Sequence, residues 1–434
     1  MDKMADVLGR AGAWCGQNKY LSAIKNAFQN FMPLTIAGAI GVLWCNVLVN
    51  DQTGLGLFFK PIMALDFLNP AFQAVNFCTI SCITVGITLG IAQEIGVWNM
   101  GAERAGYIPG LVGLAAWLSV TNTSHMVKGA KEAFTGVAGN ELGATGLFTG
   151  MIIGVLSVEL FCFFEKQDAL KIKMPEQVPP GVARAFEVLV PATITLIITA
   201  CIGSACYNLT GLYLNDVIKN GIQGPLGAVG ATIPGVMIIY LVIMLFWLVG
   251  IHGNNMLSAV KEALFTPLAL ENVEKFNKGE KPTNIINMYA LQMWGEFGGS
   301  GVTIGLVIAI MIFGKREDNK AIATLSLVPG LFNINETVTF GIPMVLNPIL
   351  GIPFVVAPLI TIIIGYVLTV IGFCPVACLT VPWTTPPIVF GFLACGANVM
   401  GAVTQAILIV VSTVIYVPFL ISYEKYQNKQ AAEA

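Results

Sequence analysis

Charge is scarce in this sequence. Only 11% of its 434 residues are charged and only 2 are histidine, whereas soluble domains carry about 25% charged residues. A soluble protein of this length could not cover its surface with so few polar groups, so the composition excludes an ordinary soluble domain and predicts an integral membrane protein. The formal net charge of −2 gives no indication of a nucleic-acid partner.

Aspartate, glutamate, lysine, arginine and histidine are absent altogether from residues 337–423. The same stretch contains many prolines, among them Pro348, Pro353 and Pro382, and proline breaks helices because it lacks a backbone donor. Broken backbone is tolerated at membrane depth only where protein or a water-filled cavity satisfies it, and such segments commonly form transporter binding sites. We therefore expect a substrate to bind in the C-terminal half.

Cysteine is not scarce, since ten are present, but the cysteines do not indicate a metal site. Most lie in apolar runs, where a free cysteine behaves as a small hydrophobic residue. Cys78 and Cys82 are four residues apart, as are Cys374 and Cys378, which is a helical spacing. Because no histidine or carboxylate lies beside either pair, we predict no metal site, and we expect no cofactor.

Long apolar segments recur along the chain. A helix needs about 20 apolar residues to cross the bilayer. We predict an all-α polytopic membrane protein of about ten spans, centred on residues 34–48, 77–91, 108–120, 147–164, 188–206, 233–249, 302–313, 322–332, 353–373 and 400–421. Residues 1–30 are predicted to form an amphipathic interfacial helix, with Leu21, Ile24 and Phe28 on one face.

Lysine and arginine cluster in residues 1–30, 166–184, 315–320 and 424–434. Cytoplasmic loops are enriched in these residues, so we predict that all four segments, and hence both termini, face the cytoplasm.

The proline-rich residues 174–183 are predicted to be a linker. It would join an N-terminal transmembrane half, residues 31–173, to a C-terminal half, residues 184–423, and residues 424–434 would form a tail. In the first half, Gly146, Gly150 and Gly154 recur at a spacing that lets helices approach closely. This row is equally compatible with packing inside one subunit and with dimerisation.

Three ionisable residues in apolar surroundings are the best functional candidates, because each costs about 2.5–3.5 kcal/mol or more at a helix centre. His252 precedes a glycine and two amides, including Asn255; Glu296 precedes three glycines; Glu336 follows Asn335. His252 could instead be a hydrogen-bonded core group, and Glu296 a water-exposed loop acid.

A carboxylate with neighbouring asparagines can hydrogen-bond several sugar hydroxyls, and it can accept a proton from one of them. Glu336 has this setting. Trp383, among prolines, could stack on the apolar face of a sugar ring or could anchor the chain at the membrane interface.

Several motifs occur together in one order along nearly the whole chain. They are residues 24–39, Gly250-Ile-His-Gly, Gly298-Gly-Ser-Gly301, Phe332-Asn-Ile-Asn-Glu336, Phe340-Gly-Ile-Pro343, Leu346-Asn-Pro348 and Pro382-Trp383-Thr. In this combination the chain resembles the lactose/cellobiose/diacetylchitobiose family of phosphotransferase-system enzyme IIC proteins. Thr337 stands where many members have proline, which leaves the local hairpin geometry open.

The resemblance implies the glucose-superfamily enzyme IIC fold: a homodimer of ten-span subunits in the bacterial inner membrane. The first half would make the dimer contact. The second half, with two re-entrant hairpins, would bind a β-linked disaccharide. No IIA or IIB domain is recognised in this sequence, so a separate cytoplasmic IIB protein would phosphorylate the sugar at its 6-hydroxyl from a phosphocysteine.

By the same resemblance, His252 and Glu336 would lie beside the reacting hydroxyl. Asn335, Glu296, Asn255 and Trp383 would help to hold the sugar. Two rivals remain on composition alone. An ion-coupled secondary sugar transporter would use Glu336 as an ion site and would release unmodified sugar. A membrane scaffold has little reason to carry ionisable residues at membrane depth.

Overall fold

The computed structural model describes residues 10, 14, 17–51, 55–125, 134–175, 177–225, 230–342 and 344–433. The described chain is mostly helical and divides into two compact units. We call Gln17–Gly38 with Ala74–Gly227 the N-terminal unit, and Ala39–Gln73 with Ala228–Ala434 the C-terminal unit. Helices that begin in one unit and end in the other are described with the N-terminal unit.

Nine helices are described with the N-terminal unit. They are α1 Lys19–Leu43, α2 Asn69–Cys78, α3 Ile83–Met100, α4 Ala102–Ala105, α5 Ile108–Val120, α6 Gly139–Leu142, α7 Ala144–Glu165, α8 Pro180–Thr210 and α9 Leu214–Ile218. Four of them, α1, α3, α7 and α8, are 18 to 31 residues long. Short strands β1 Ser124–His125 and β2 Phe134–Thr135 form an antiparallel hairpin. Short stretches of tighter or wider helical winding occur at Ile80–Cys82, Asp168–Leu170 and Lys219–Gln223 in this unit, and at Trp44–Leu48, Leu55–Leu57 and Lys60–Leu68 in the C-terminal unit.

The predicted glycine row lies on α7 and packs inside the subunit. A Cβ atom at Gly154 would lie 3.1 Å from the carbonyl oxygen of Thr88 on α3, and one at Gly150 would clash with the Thr88 hydroxyl. Small residues let neighbouring helices approach this closely. Of the two alternatives for this row, intrasubunit packing is what the structure contains.

Charged residues of the N-terminal unit meet at helix ends. Glu165, at the end of α7, has a side chain only 3% exposed and pairs with Arg104 at 2.9 Å and Arg184 at 3.0 Å. Both arginines also pair with Glu187, at 3.0 and 2.8 Å. The two carboxylates and two guanidinium groups balance one another, which removes most of the cost of burying Glu165.

The C-terminal unit is more interrupted. Its helices are α10 Ile233–Leu248, α11 Gly253–Met256, α12 Ser258–Asn277, α13 Met288–Gly295, α14 Ile304–Phe313, α15 Glu317–Leu331, α16 Glu336–Gly341, α17 Gly351–Val370, α18 Val389–Ala394 and α19 Val399–Glu433, with a single turn at Ser300–Val302. Near its end, α19 carries the buried Glu424. Its carboxylate accepts hydrogen bonds from the backbone N–H groups of Lys315 at 2.9 Å and Arg316 at 3.3 Å, and from Asn319 Nδ2 at 3.2 Å.

Six helical segments of the described chain are long and apolar enough to cross a membrane. They are Lys19–Leu48, Lys60–Met100, Ala144–Glu165, Pro180–Thr210, Gly351–Val370 and Val399–Glu433. Met288–Val302 and Ile304–Phe313, bent by 60°, would make a seventh, and Ile108–Val120 and Ile233–Leu248 are shorter apolar helices. The prediction of a largely helical membrane protein is confirmed.

Two sequence expectations differ from the structure. The predicted span at residues 322–332 is the end of the 15-residue helix α15, which begins with Glu317 and Asp318 and is too short and polar to count as a span by itself. Cys374 and Cys378 do not share a helix. Their segment is irregular, and the Cys374 thiol lies 3.9 Å from that of Cys395 instead.

The ends of the chain also differ from expectation. Residues 19–30 form the first turns of α1, a helix continuous with the first span, rather than a separate surface helix, and most of residues 1–16 lie outside the described part of the chain. The predicted tail at 424–434 continues α19 to Glu433. The predicted linker lies within the N-terminal unit and not between the two units. Its residues 177–179 are not helical, and α8 begins at Pro180, where proline suits the first turn of a helix.

Candidate functional site

His252 lies in a turn between α10 and α11. Its Nδ1 accepts a hydrogen bond of 3.2 Å from the backbone N–H of Asn255, and its ring packs on the indole of Trp247 with centroids 4.4 Å apart. Since Nδ1 is an acceptor, the neutral ring carries its proton on Nε2. The turn therefore fixes both the ring orientation and the tautomer of His252.

Glu336 opens α16, and its Oε1 lies 3.8 Å from His252 Nε2. The Glu336 side chain is 47% exposed and that of His252 is 37% exposed. The backbone N–H of Leu346 also donates to the carbonyl of Leu248 at 2.8 Å, which ties the chain after α16 to the end of α10. The structure thus brings together the two residues that the sequence predicted to flank the reacting hydroxyl.

The asparagines before Glu336 anchor its segment. Asn333 accepts a hydrogen bond of 2.6 Å from the backbone N–H of Gly298, and its amide group donates to the carbonyl oxygens of Trp383 and Thr385. Asn335 is buried and donates to the carbonyl of Ser300 at 2.7 Å. These bonds hold the segment between α15 and α16 against the loop after Glu296 and against residues 383–385.

The glycine loop after Glu296 has a backbone that only glycine adopts without strain. Gly299 has φ +87° and ψ −174°, and a Cβ atom there would lie 2.7 Å from the side chain of Asn335. Gly298 and Gly301 also have positive φ. The loop needs its glycines because it must turn sharply while Asn335 packs directly against it.

Glu296 lies beside this loop, and its Oε1 has two donors. The hydroxyl of Tyr240 donates to it at 2.6 Å, and the ammonium of Lys261 forms an ion pair with it. The side chain of Glu296 is 17% exposed, so the alternative of a fully water-exposed loop acid does not describe it.

The other predicted contact residues sit around this arrangement. Asn255 and Trp383 are exposed, Trp383 by 44%. The backbone of Trp383 joins the site through the Asn333 amide. Exposed amide, carboxylate, imidazole and indole groups provide the acceptors, donors and flat apolar surface that a sugar requires.

Sequence reasoning did not single out Lys261 and Tyr240, which connect the site. The sequence offered one indication of Lys261, because it is the only lysine or arginine between Lys219 and Lys275. An isolated tyrosine in such surroundings is ordinary, so nothing indicated Tyr240. Asn254 and Ser300 belong to the His252 and glycine-loop motifs, but the sequence does not show which residues they contact.

A comparison with known protein families decides the class of this chain. Residues 25–358 match the model of the family described as phosphotransferase system, EIIC. The chain belongs to the EIIC family. It is therefore a membrane permease component of a sugar phosphotransferase system, and the rival class of ion-coupled secondary transporters is rejected.

Relatives of this EIIC protein cover its whole length. It is 32% identical to the oligo-β-mannoside-specific EIIC component of Bacillus subtilis, over 98% of this chain and 94% of that protein. It is 30% identical to the cellobiose-specific EIIC component of Lactococcus lactis, over 98% of each chain.

A solved structure shares the fold. The crystal structure of ChbC, the IIC component of the N,N'-diacetylchitobiose-specific phosphotransferase system, superposes with a TM-score of 0.88 at 29% identity, over 97% of each chain. The EIIC protein therefore has the fold of that transporter.

Proposed function

We propose that this EIIC protein binds a β-linked disaccharide of the cellobiose, diacetylchitobiose or lactose class and presents the sugar's 6-hydroxyl to a separate phospho-IIB protein. The observation that carries the proposal is the 3.8 Å separation of His252 Nε2 and Glu336 Oε1 at an exposed chain break. The names of its relatives, which are specific for cellobiose and oligo-β-mannoside, support the sugar class.

In this proposal Glu336 is the general base. It accepts the proton of the 6-hydroxyl as that oxygen attacks the phosphorus of the IIB phosphocysteine. The new bond is O–P, the bond that breaks is S–P, and the cysteine leaves as a thiolate. His252, whose Nε2 carries the proton, donates to the same hydroxyl oxygen and orients it.

The remaining site residues would hold the sugar. Asn335 and Asn255 supply amides, and Trp383 supplies an apolar face. Both donors to Glu296 meet Oε1, which leaves Oε2 for a sugar hydroxyl. Phosphorylation adds about −1.5 to −2 charge to the product if the sugar phosphate titrates like a protein phosphate, so return through an apolar pathway is disfavoured.

Purified protein in vesicles, supplied with cellobiose outside and phospho-IIB on the cytoplasmic side, tests the function. The expected product is cellobiose phosphate that appears at the rate of uptake. Uptake of unmodified cellobiose at the same rate without IIB would overturn the proposal.

We also propose the finer architecture that the family resemblance implies: ten spans, two re-entrant hairpins in the C-terminal half, and both termini in the cytoplasm. The 60° bend at Met288–Phe313 and the short apolar helices α5 and α10 support broken or partial crossings. A cysteine introduced at position 317 should react with a membrane-impermeant reagent only from the cytoplasmic side. Reaction from the outside would overturn the topology.

A homodimer through residues 31–173, surrounded by lipid, completes the proposal. Leu156 and Phe163 are exposed on α7, and Leu111 on α5, which leaves apolar surface for lipid or a second subunit. Cross-links between subunits should therefore form before residue 174, and cross-links found only after residue 184 would contradict it.

A further inference from the structure

A buried lysine, Lys261, is linked by hydrogen bonds to the proposed transfer site, which consists of His252 and Glu336. Lys261, on α12, has a side chain only 7% exposed, pairs with Glu296, and lies 5.5 Å from the centre of the Tyr240 ring. A buried ammonium is tolerated only when its partners compensate for lost water. The proposed chemistry of His252 and Glu336 does not use Lys261.

Hydrogen bonds lead from Lys261 to both sides of the site. Its ammonium donates to Asn254 Oδ1 at 3.3 Å. Asn254 Nδ2 in turn donates to the hydroxyl of Ser300 at 2.9 Å, and Asn335 Nδ2 donates to the carbonyl of the same serine at 2.7 Å. Asn254 lies two residues after His252, and Asn335 directly precedes Glu336, so the path joins the two chain segments that carry the reacting groups.

The charge of Lys261 sets the direction of this path. The oxygen and nitrogen ends of an asparagine amide are nearly equal in shape, so the orientation depends on what each end meets. An ammonium can only donate, which turns Asn254 Oδ1 toward Lys261 and leaves Nδ2 to donate to Ser300. A neutral, apolar side chain at position 261 would remove that constraint.

We propose that Lys261 is a positioning residue of the transfer site. It ties Glu296, in front of the glycine loop, to Asn254 in the His252 turn, and through Ser300 and Asn335 it holds His252 and Glu336 at their separation. It does not touch the sugar. This inference rests on the proposed function of His252 and Glu336 and adds the residue that keeps them aligned.

Single-turnover transfer from phospho-IIB to saturating cellobiose tests the inference on full-length protein. Lys261→Met should slow transfer by up to about 10²-fold, because small misplacements of reacting groups have effects of that size. The dissociation constant for cellobiose should change much less. Lys261→Arg, which keeps the charge and donors, should restore most of the rate.

Asn254→Ala closes a double-mutant cycle. If Lys261 acts through Asn254, each single variant slows transfer by a similar factor, and the double variant is no slower than either. If the rate losses of the two single variants multiply in the double variant, Lys261 does not act through Asn254, and the proposed path is wrong.

The double variant Lys261→Met/Glu296→Gln, which removes both buried charges, is the control for a folding defect. Because Glu296 is itself proposed to hold the sugar, Glu296→Gln alone is measured beside it. The double variant should regain the melting temperature of the parent while its transfer stays slower than that of Glu296→Gln. Transfer as fast as in Glu296→Gln, together with restored stability, would show a structural role only and would overturn the proposal.

Hydrogen exchange separates this inference from the proposed function, because it needs neither sugar nor IIB. Exchange of residues 333–341 should be faster in Lys261→Met/Glu296→Gln than in the parent. Unchanged exchange there would overturn the positioning role. Absence of sugar phosphorylation by the parent protein would instead count against the proposed function alone.

Discussion

The Glu165 cluster of the N-terminal unit and the His252–Glu336 pair of the C-terminal unit differ in burial and in pairing. In the N-terminal unit, Glu165 and its two arginines meet where helices begin or end, and the carboxylate is paired with both arginines. In the C-terminal unit, His252 and Glu336 lie at breaks between helices, half-exposed and 3.8 Å apart. Paired charges at helix ends stabilise a scaffold, whereas charges at chain breaks remain available to a ligand. Four predictions test this contrast.

Glu336→Gln should have the largest effect, and only on chemistry. The amide keeps the size and hydrogen-bonding capacity of the carboxylate but is not a base, so phosphoryl transfer should fall by roughly 10²–10⁴-fold. Sugar binding should fall less, and the melting temperature should hardly change. His252→Gln, measured beside it, should lose less if His252 only orients the hydroxyl. Near-normal transfer in folded, sugar-binding Glu336→Gln would leave Glu336 a binding residue only.

Glu165→Gln should do the reverse. Arg184, with a side chain 17% exposed, would lose one of its two carboxylate partners, and breaking a buried pair costs about 3 kcal/mol or more. We expect a lower melting temperature in detergent and a normal transfer rate per folded molecule. A slower rate at unchanged stability would place the N-terminal cluster in the catalytic cycle and would remove the contrast.

Two glycines with the same backbone conformation, one in each unit, sharpen the comparison. Gly299 has φ +87° and ψ −174°, and Gly101 has φ +83° and ψ +152°. Alanine at either position should cost roughly 1–3 kcal/mol of strain. A new Cβ at Gly299 would contact the side chain of Asn335, whereas a new Cβ at Gly101 would have no other residue within 4 Å. Sugar binding, measured by calorimetry, should therefore fall in Gly299→Ala and stay normal in Gly101→Ala.

Asp318→Asn should have the smallest effect. The hydrogen bond from Arg316 lowers the pKa of the Asp318 carboxyl below its ordinary value, and the pair is 2.6 Å apart at the start of α15. Its stabilisation is present at neutral pH and is lost as the pH falls through that lowered pKa. Because the pair is solvent-exposed, the melting temperature should differ only slightly between the two proteins at neutral pH, and the difference should vanish in acid.

Much of this arrangement is predictable from the sequence because it follows from local patterns. The scarcity of charge indicates the bilayer, and His252 and Glu336 are conspicuous as isolated ionisable residues beside glycines and asparagines. The role of Lys261 is different. It shares α12 with Glu262, Glu271 and Lys275, so the helix has the composition of a solvent-exposed helix. Lys261 is buried only because it packs against Tyr240 and Glu296 in the folded protein.

Residues 322–332 illustrate a second limit. Their apolar run is long enough to suggest a span. The helix that forms most of it, however, starts at Glu317 and ends at Leu331. Two residues later, Asn333 has a left-handed backbone. Gly330 and Asn333, residue types that commonly end a helix, can be read from the sequence. The backbone groups that bond to the Asn333 side chain, those of Gly298 and Trp383, come from distant parts of the chain, so the sequence does not indicate them.

The contact between Glu424 and the start of α15 constrains the number of residues in the last helix, α19. Each residue in a helix turns the following ones by about 100° and advances them by about 1.5 Å. One inserted or deleted residue between Val399 and Glu424 would rotate the carboxylate away from the backbone N–H groups of Lys315 and Arg316. The length of this helix before Glu424 is therefore fixed by the rotation of its side chains as well as by membrane thickness. The same holds up to Asn428, which accepts a hydrogen bond from Arg316 at 2.7 Å.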